Sequence, residues 1–153
     1  VRPLAALAAG SIGDKIGGPR TIAACFVLLI VSDLVVALGF LEPTAPWMLF
    51  TTVIAIGAGV YGLRGLYFAI FNDAGVPLAL TGTAVGLVST IGYTPEIFMG
   101  PLMGYLTDTY PGALGHQYFF GVLAGFAALG LCCTLLFQRL SVNASGQRRR
   151  VQQ

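Results

Sequence analysis

Four long apolar segments constrain this chain more than any other feature. They run over residues 21–40, 46–71, 83–106 and 118–137. Each is long enough for a helix of about 20 residues, which crosses a hydrocarbon core of roughly 30 Å. Helices of a soluble bundle, the alternative, would carry a polar stripe, and these segments show almost none. The sequence therefore predicts an all-α integral membrane protein with four transmembrane helices.

The composition agrees with this prediction and excludes several classes of function. Hydrophobic residues make up 56% of the chain and charged residues 9%, whereas a soluble domain is about 25% charged. A net charge of +2 without a basic stripe argues against a nucleic-acid partner. Three cysteines, all in apolar runs, are expected to be free thiols. We expect no enzyme, no catalytic residues, no metal and no cofactor.

The basic residues predict how the chain is oriented in the membrane. Lys15 and Arg20 lie in the first loop, and Arg139 and a triple arginine lie at or in the tail of residues 141–153, whereas the second and fourth loops hold none. By the positive-inside rule, the first loop and the polar, basic tail are cytoplasmic. We expect a multi-pass protein of the bacterial cytoplasmic membrane. Residues 3–9 are apolar but too few to span, and are interpreted as the end of a truncated helix.

The first loop carries a spaced pattern of glycines and charges. Its residues are Gly10-x-x-x-Asp14-Lys15-x-Gly17, followed by a basic residue at Arg20. The pattern resembles the loop signature of the major facilitator superfamily, from which it departs at positions 18 and 19. The resemblance implies a latch that holds two halves of a transporter together, with Asp14 in the central role. The alternative is a solvated turn whose charges only set the topology.

The third segment carries a second pattern of this kind, Gly100-Pro101-x-x-Gly104, with Pro95 one and a half turns earlier. It resembles the fifth helix of a half in the same superfamily. Glycines at this spacing give a thin helix face for close packing, and proline is tolerated when neighbours satisfy the freed carbonyl. We therefore expect helix packing here, with a hinge as the secondary interpretation.

Together the two resemblances imply a fold and a function. The chain would be part of a six-helix half-bundle over residues 1–140, and the C-terminal half of the transporter; the N-terminal half is the alternative. Its expected function is secondary active transport of a small solute by alternating access. The expected partners are that solute, the lipid bilayer, the missing six-helix half and a coupling proton or ion.

Three charges lie inside the apolar segments, where each costs about 2.5–3.5 kcal/mol at a helix centre. Asp33 and Glu96 lie roughly 18–20 Å from the cytoplasmic end of their segments, and Arg64 roughly 10 Å. In the superfamily the fourth and fifth helices of a half line the cavity, which favours Arg64 and Glu96 as site residues. For Asp33, on an outer helix by this resemblance, we expect a structural hydrogen bond.

The predicted substrate site consists of these two charges and the polar residues on the same helix faces: Arg64 with Tyr61 and Tyr67, and Glu96 with Ser89 and Tyr93. A guanidinium suits an organic anion, and Glu96 is a candidate for proton coupling. The alternatives are that Arg64 snorkels to the surface or forms a structural ion pair, and that Glu96 pairs with the missing half. A non-transporting subunit or scaffold is the alternative function.

Overall fold

The computed structural model describes residues 10–13, 15, 17–41, 46–66 and 77–151. These residues form four α-helices with defined bounds, further helical residues at 10–13 and 15, and no strand. The helices are α1 (Gly18–Ala37), α2 (Pro46–Leu66), α3 (Thr81–Thr109) and α4 (Ala113–Val151), with a 3-10 turn at Leu78–Leu80 before α3. The predicted all-α class is confirmed. The truncated helix expected at residues 3–9 and the end of the span predicted over 46–71 lie outside the described residues.

Three segments among the described residues are long and apolar enough to cross a membrane: α1, α2 and residues Ala113–Leu140 of α4. The chain is thus an all-α integral membrane protein. With 29 residues, α3 is also long enough, but glycines, threonines, Glu96 and Asp108 make it less apolar than the other three helices. That α3 crosses the membrane stays a prediction. The last helix continues to Val151, into the segment predicted as a polar tail.

Local chemistry explains how α1 begins and ends. Gly17 precedes it with a φ of 104°, a conformation that favours glycine. Pro19 occupies the first turn, where a backbone N–H has no helical partner to lose. The Thr21 hydroxyl donates a hydrogen bond to the Gly17 carbonyl at 3.1 Å. After Ala37 the chain turns at Gly39, with a φ of 74°. The first loop therefore leads directly into a membrane-spanning helix.

Helices α1 and α4 form the centre of the bundle, and α2 and α3 pack on them. The two central helices share the largest interface, α2 also packs on α1, and α3 packs on α4. A Cβ atom at Gly59 would lie 2.7 Å from Leu29 Cγ, so α1 and α2 approach closely at this glycine. Gly130 of α4 lies equally tightly against the Phe26 ring. Small residues allow such close approach between membrane helices. The buried apolar core comprises Ile22, Leu29, Leu63, Leu66 and Ala127.

The glycines expected to pack in α3 do not do so among the described residues. A Cβ atom at Gly100 or Gly104 would meet nothing within 4 Å. The close helix contacts lie at Gly59 and Gly130 instead, because α1 rather than α3 is the central helix. Pro95 and Pro101 lie within α3, which continues through both. A hinge at these prolines stays a prediction.

This packing leaves a gap between α2 and α3. Each of them packs on one of the two central helices, and they make no extensive backbone contact with each other. Any direct contact between them must therefore come from long side chains. The gap is where the polar residues of the spans come together.

Candidate functional site

A cavity of about 310 Å³ lies at this gap and is lined by residues of all four helices. Its apolar wall includes Phe26, Leu29, Leu123 and Phe126, and its polar residues are Asp33, Arg64, Ser89 and Tyr93. A mostly apolar pocket with a few convergent polar groups is typical of small-molecule sites, which are about 300–1,000 Å³ in volume. The cavity is at the lower end of this range, so it suits a small solute.

An ion pair between Arg64 and Glu96 connects α2 to α3 beside this cavity. Arg64 Nη2 donates a hydrogen bond to Glu96 Oε1. The ring of Tyr93 lies one helical turn before Glu96, and its centroid is 5.2 Å from Arg64 Cζ. This distance is within the range of a cation–π interaction. The guanidinium is therefore held from one side by a carboxylate and from another by an aromatic face.

The pair is accessible rather than enclosed. The side chains of Arg64 and Glu96 are 42% and 60% exposed. An ion pair in an accessible position needs two long side chains to be ordered, and within a membrane span its exposed faces meet a cavity, lipid or another helix. Its partners can also be exchanged at lower cost than those of a buried pair. The arrangement is better suited to a changeable contact than to a permanent one.

The structure brings together most of the predicted substrate-site residues. Arg64, Tyr93 and Ser89 line the cavity, as does Pro95, and Glu96 pairs with Arg64. Tyr61 is half-buried on α2 but does not line the cavity. Tyr67 lies outside the described residues. The polar residues of α2 and α3 therefore converge on one site, with Arg64 at its centre.

The pairing of Arg64 with Glu96 was not predicted. The sequence placed the two charges at depths that differ by about 10 Å, on the assumption of straight, upright helices. Membrane helices tilt by about 20° on average, so residues at different counts from the helix ends can meet. Arg64 therefore forms an ion pair, and whether Arg64 binds substrate or is only structural stays a prediction. Glu96 finds its partner within this chain, not in a missing half.

Asp33 differs from its prediction. Its side chain is 3% exposed, and its Oδ1 atom has no hydrogen-bond partner among the described residues. The expected structural hydrogen bond is therefore not made by this atom. Asp33 also lines the same cavity as Arg64. It was missed as a site residue because the resemblance placed its helix outside the cavity, whereas α1 lies at the centre of the bundle.

The first-loop residues lie away from this cavity. Lys15 and Arg20 are exposed, Gly10 is half-exposed, and Gly17 provides the turn before α1. Asp14, the central residue of the predicted latch, lies outside the described residues. Nothing in the described part of the chain tests the latch.

The described residues offer no group of three or more metal-binding side chains. The cysteines Cys25, Cys132 and Cys133 are free thiols. The site therefore has the polar chemistry of an ion pair, a phenol and a carboxylate, and it can bind charged groups by electrostatics and hydrogen bonds.

Comparisons with known proteins identify relatives in a bacterial inner membrane. The chain is 33% identical over 135 residues to the inner membrane protein YihN of Escherichia coli, a match that covers 86% of this chain and 32% of YihN. It is 37% identical over 91 residues to the inner membrane protein YqcE of the same organism, which covers 58% of this chain and 21% of YqcE. The chain thus spans about a third of the length of YihN and a fifth of that of YqcE. No solved structure matches it.

These comparisons overturn one prediction. No family model matches the chain, and the names of the relatives do not identify a transporter superfamily. The prediction that the chain is a half, C-terminal or N-terminal, of a major facilitator superfamily transporter is therefore wrong. The latch and the helix numbering, which that resemblance implied, lose their basis. The predicted location is confirmed: with three membrane-capable helices and these relatives, the chain is a multi-pass inner membrane protein.

Proposed function

We propose that this chain forms part of a secondary active transporter that moves a small organic anion across the inner membrane by alternating access. One observation carries the proposal: a cavity within the helix bundle is lined by Arg64, whose ion pair with Glu96 connects two helices that barely touch otherwise. Charged residues within membrane helices usually face a cavity or a partner and mark the path of a substrate.

The site has the chemistry of an anion receptor. The planar guanidinium of Arg64 can donate two parallel hydrogen bonds to a carboxylate, sulfonate or phosphate group. The Tyr93 ring supports one face of the guanidinium, and the apolar wall from α1 and α4 can accept a carbon skeleton. The substrate class that fits best is therefore a small anion with an apolar portion.

The ion pair also provides a way to couple binding to movement. An anion that binds Arg64 competes with Glu96 for the same donors. When the anion displaces Glu96, the ion pair between α2 and α3 is lost, and the contact of the Tyr93 ring with Arg64 still links the two helices. The helices can then separate more easily. Substrate binding then favours one arrangement of the helices over another, as any ligand-driven change in conformation requires.

The energy source is a property of the whole protein, and this chain spans about a third of the length of its relative YihN. We propose that a gradient drives transport, with a proton or another ion as the coupling partner. Glu96 was the candidate for proton coupling from the sequence. In the structure its charge is already compensated by Arg64, which makes Glu96 more suitable as a competitor of the substrate.

Uptake into proteoliposomes tests the proposal. The purified full-length protein is reconstituted, and uptake is measured for a panel of radiolabelled small carboxylates, sulfonates and organic phosphates. We expect at least one to accumulate and Arg64→Ala to abolish its uptake. Arg139→Ala is the matched control, because Arg139 is exposed on α4 and does not line the cavity. Uptake of none of the anions, or normal uptake by Arg64→Ala, contradicts the proposal. The first result favours a non-transporting membrane subunit.

A further inference from the structure

Asp33 is a buried carboxylate that lines the cavity, and the ion pair between Arg64 and Glu96 gives it no role. It lies on α1, four residues before the helix ends at Ala37. The residue is 3% exposed, and its Oδ1 atom has no hydrogen-bond partner among the described residues. A carboxylate charge left in this position without compensation is costly. Either a cation or a proton must neutralise it.

The chemistry of the cavity favours a proton over a metal ion. Hard cations such as Ca²⁺ take six to eight oxygen ligands, and Mg²⁺ needs a near-octahedral set. Besides Asp33, the described side chains that line the cavity offer only the hydroxyl oxygens of Ser89 and Tyr93. A proton needs no coordination shell, because it bonds directly to one carboxylate oxygen. Asp33 is therefore suited to bind a proton, and the side chains around it are poorly suited to hold Ca²⁺ or Mg²⁺.

The helix register separates Asp33 from the anion site. Leu29 packs against Gly59, which sets these two residues at the same level of the antiparallel helices α1 and α2. Asp33 lies four residues beyond this level, and Arg64 lies five residues from it in the opposite direction. At 1.5 Å per residue, the two backbone positions are roughly 13 Å apart along the helix axes. The cavity thus connects two sites of opposite charge.

We propose that Asp33 binds the coupling proton at one end of the cavity, while the substrate anion binds Arg64 at the other. This proposal rests on the proposed function. Three groups that line the cavity are charged or ionisable: Asp33 on α1, Arg64 on α2 and Tyr93 on α3. Glu96 does not line the cavity but is paired with Arg64. The residues that α4 contributes are apolar: Leu123, Phe126 and Ala127.

The sign of the coupling follows from these charges. An anion that enters the cavity repels the negative charge on Asp33 and favours its protonated form. By linkage, a proton on Asp33 raises the affinity for the anion by the same factor. The proton comes from the water on the open side and bonds to a carboxylate oxygen, and no other group changes its charge. Proton and anion are therefore expected to bind together and to move in the same direction.

Infrared difference spectroscopy tests whether Asp33 binds a proton. The full-length protein is titrated in lipid, and the C=O stretch of protonated carboxyl groups is followed with pH. We expect a band that disappears as the pH rises, that Asp33→Asn abolishes and that Asp33→Glu shifts but keeps. Asp108→Asn, at an exposed aspartate of α3, should leave the band unchanged. A band that persists in Asp33→Asn while the variant remains monodisperse on gel filtration overturns the proposal.

A transport measurement tests the coupling separately. For the panel anion that wild type accumulates, uptake should rise as the external pH falls, whereas Asp33→Asn should show no such response. Ser32→Ala changes a buried neighbour on α1 and should respond to pH as wild type does. A pH response that survives in Asp33→Asn overturns the coupling role. If wild type transports none of the anions, the proposed function fails, and the infrared band still decides whether Asp33 binds a proton.

Discussion

At the residue scale, Arg64 is the residue on which the account depends. Its guanidinium has two partners of different kinds, the Glu96 carboxylate and the face of the Tyr93 ring. Only one of them, the carboxylate, competes directly with an incoming anion. Arg64 thus stays supported by Tyr93 while it changes its charged partner. This combination distinguishes the site from an ion pair that merely fastens two helices.

Arg64→Lys separates the charge of Arg64 from its geometry. Lysine keeps the positive charge but offers no planar fork of donors. The loss of one charge-assisted hydrogen bond costs about 1.5–3 kcal/mol, which is roughly 10- to 150-fold in Kd. Binding of the panel anions to the purified full-length protein should weaken by this factor, measured by isothermal titration calorimetry. Unchanged affinity would show that the anion does not use the guanidinium.

Most substitutions of buried residues destabilise a protein. For Asp33→Asn we expect no loss of stability. The variant removes a carboxylate whose Oδ1 is unsatisfied and keeps the shape of the side chain. A buried charge without compensation costs more than a buried neutral amide, so Asp33→Asn should unfold at the same temperature as wild type or at a higher one. Thermal unfolding in detergent at neutral pH measures this. A clearly lower Tm would indicate that Asp33 makes a stabilising contact.

At the scale of the elements, the arrangement depends on close contacts of the central helix α1. Gly59 brings α2 against Leu29, and Gly130 brings α4 against Phe26. A hydrogen bond also joins α4 to the first turn of α1, where the Gln138 amide donates to the Pro19 carbonyl at 2.7 Å. In contrast, α3 touches mainly α4. The helix that carries Glu96 is therefore less tightly held than the helix that carries Asp33.

Gly59→Ala should destabilise the protein through this contact. The added methyl group would lie 2.7 Å from Leu29 Cγ, and overpacking of this kind costs about 1–3 kcal/mol. Gly100→Ala is the matched control, since its methyl group would meet open space and alanine favours the helix by about 0.5–1 kcal/mol. Denaturant unfolding in micelles should show a lower stability for Gly59→Ala alone. Equal stabilities would contradict the close packing of α1 and α2.

The sequence predicted the elements better than their contacts. The start at Pro46 agrees with the prediction, whereas α1 and α4 begin three and five residues earlier than predicted. Apolar content indicates the part of a helix that lies in hydrocarbon, but it does not indicate where the backbone hydrogen bonds of the helix begin or end. For this reason the sequence also did not predict that α4 continues through the polar residues after Gln138.

The candidate site was predicted in part. Arg64, Tyr93 and Ser89 could be found one by one, because a polar group in an apolar segment needs a partner or a cavity. The pairing with Glu96 depends on the tilt and order of the helices, which no single segment encodes. Asp33 was assigned to an outer helix by a resemblance that proved wrong. Its own chemistry, a lone carboxylate in an apolar helix, was the signal that could have identified it.

At the scale of the whole molecule, the surface has the character expected in a lipid environment. Large apolar side chains such as Trp47, Phe50, Ile91 and Ile97 are exposed, while the buried carboxylate lies inside. The chain covers about a third of the length of YihN. Transport is therefore a proposal for the whole protein, to which this chain would contribute a cavity with an anion site and a proton site.

Cysteine labelling tests the predicted topology at this scale. If α3 crosses the membrane, its two ends lie on opposite sides, with the end near Thr83 in the cytoplasm. In a background without native cysteines, Thr83→Cys should react with a membrane-impermeant maleimide only after the cells are opened, whereas Asp108→Cys should react in intact cells. Equal reactivity of both positions in intact cells would show that α3 does not cross.

The most direct test of the central claim is proton uptake on anion binding. The panel anion with the highest affinity is added to the full-length protein in weakly buffered solution, and the pH is followed. The starting pH is the midpoint of the infrared titration, where Asp33 is half protonated before the anion binds. Wild type should take up protons as it binds the anion, and neither Arg64→Ala nor Asp33→Asn should do so. Anion binding without proton uptake in wild type, or undiminished uptake in Asp33→Asn, would contradict the central claim.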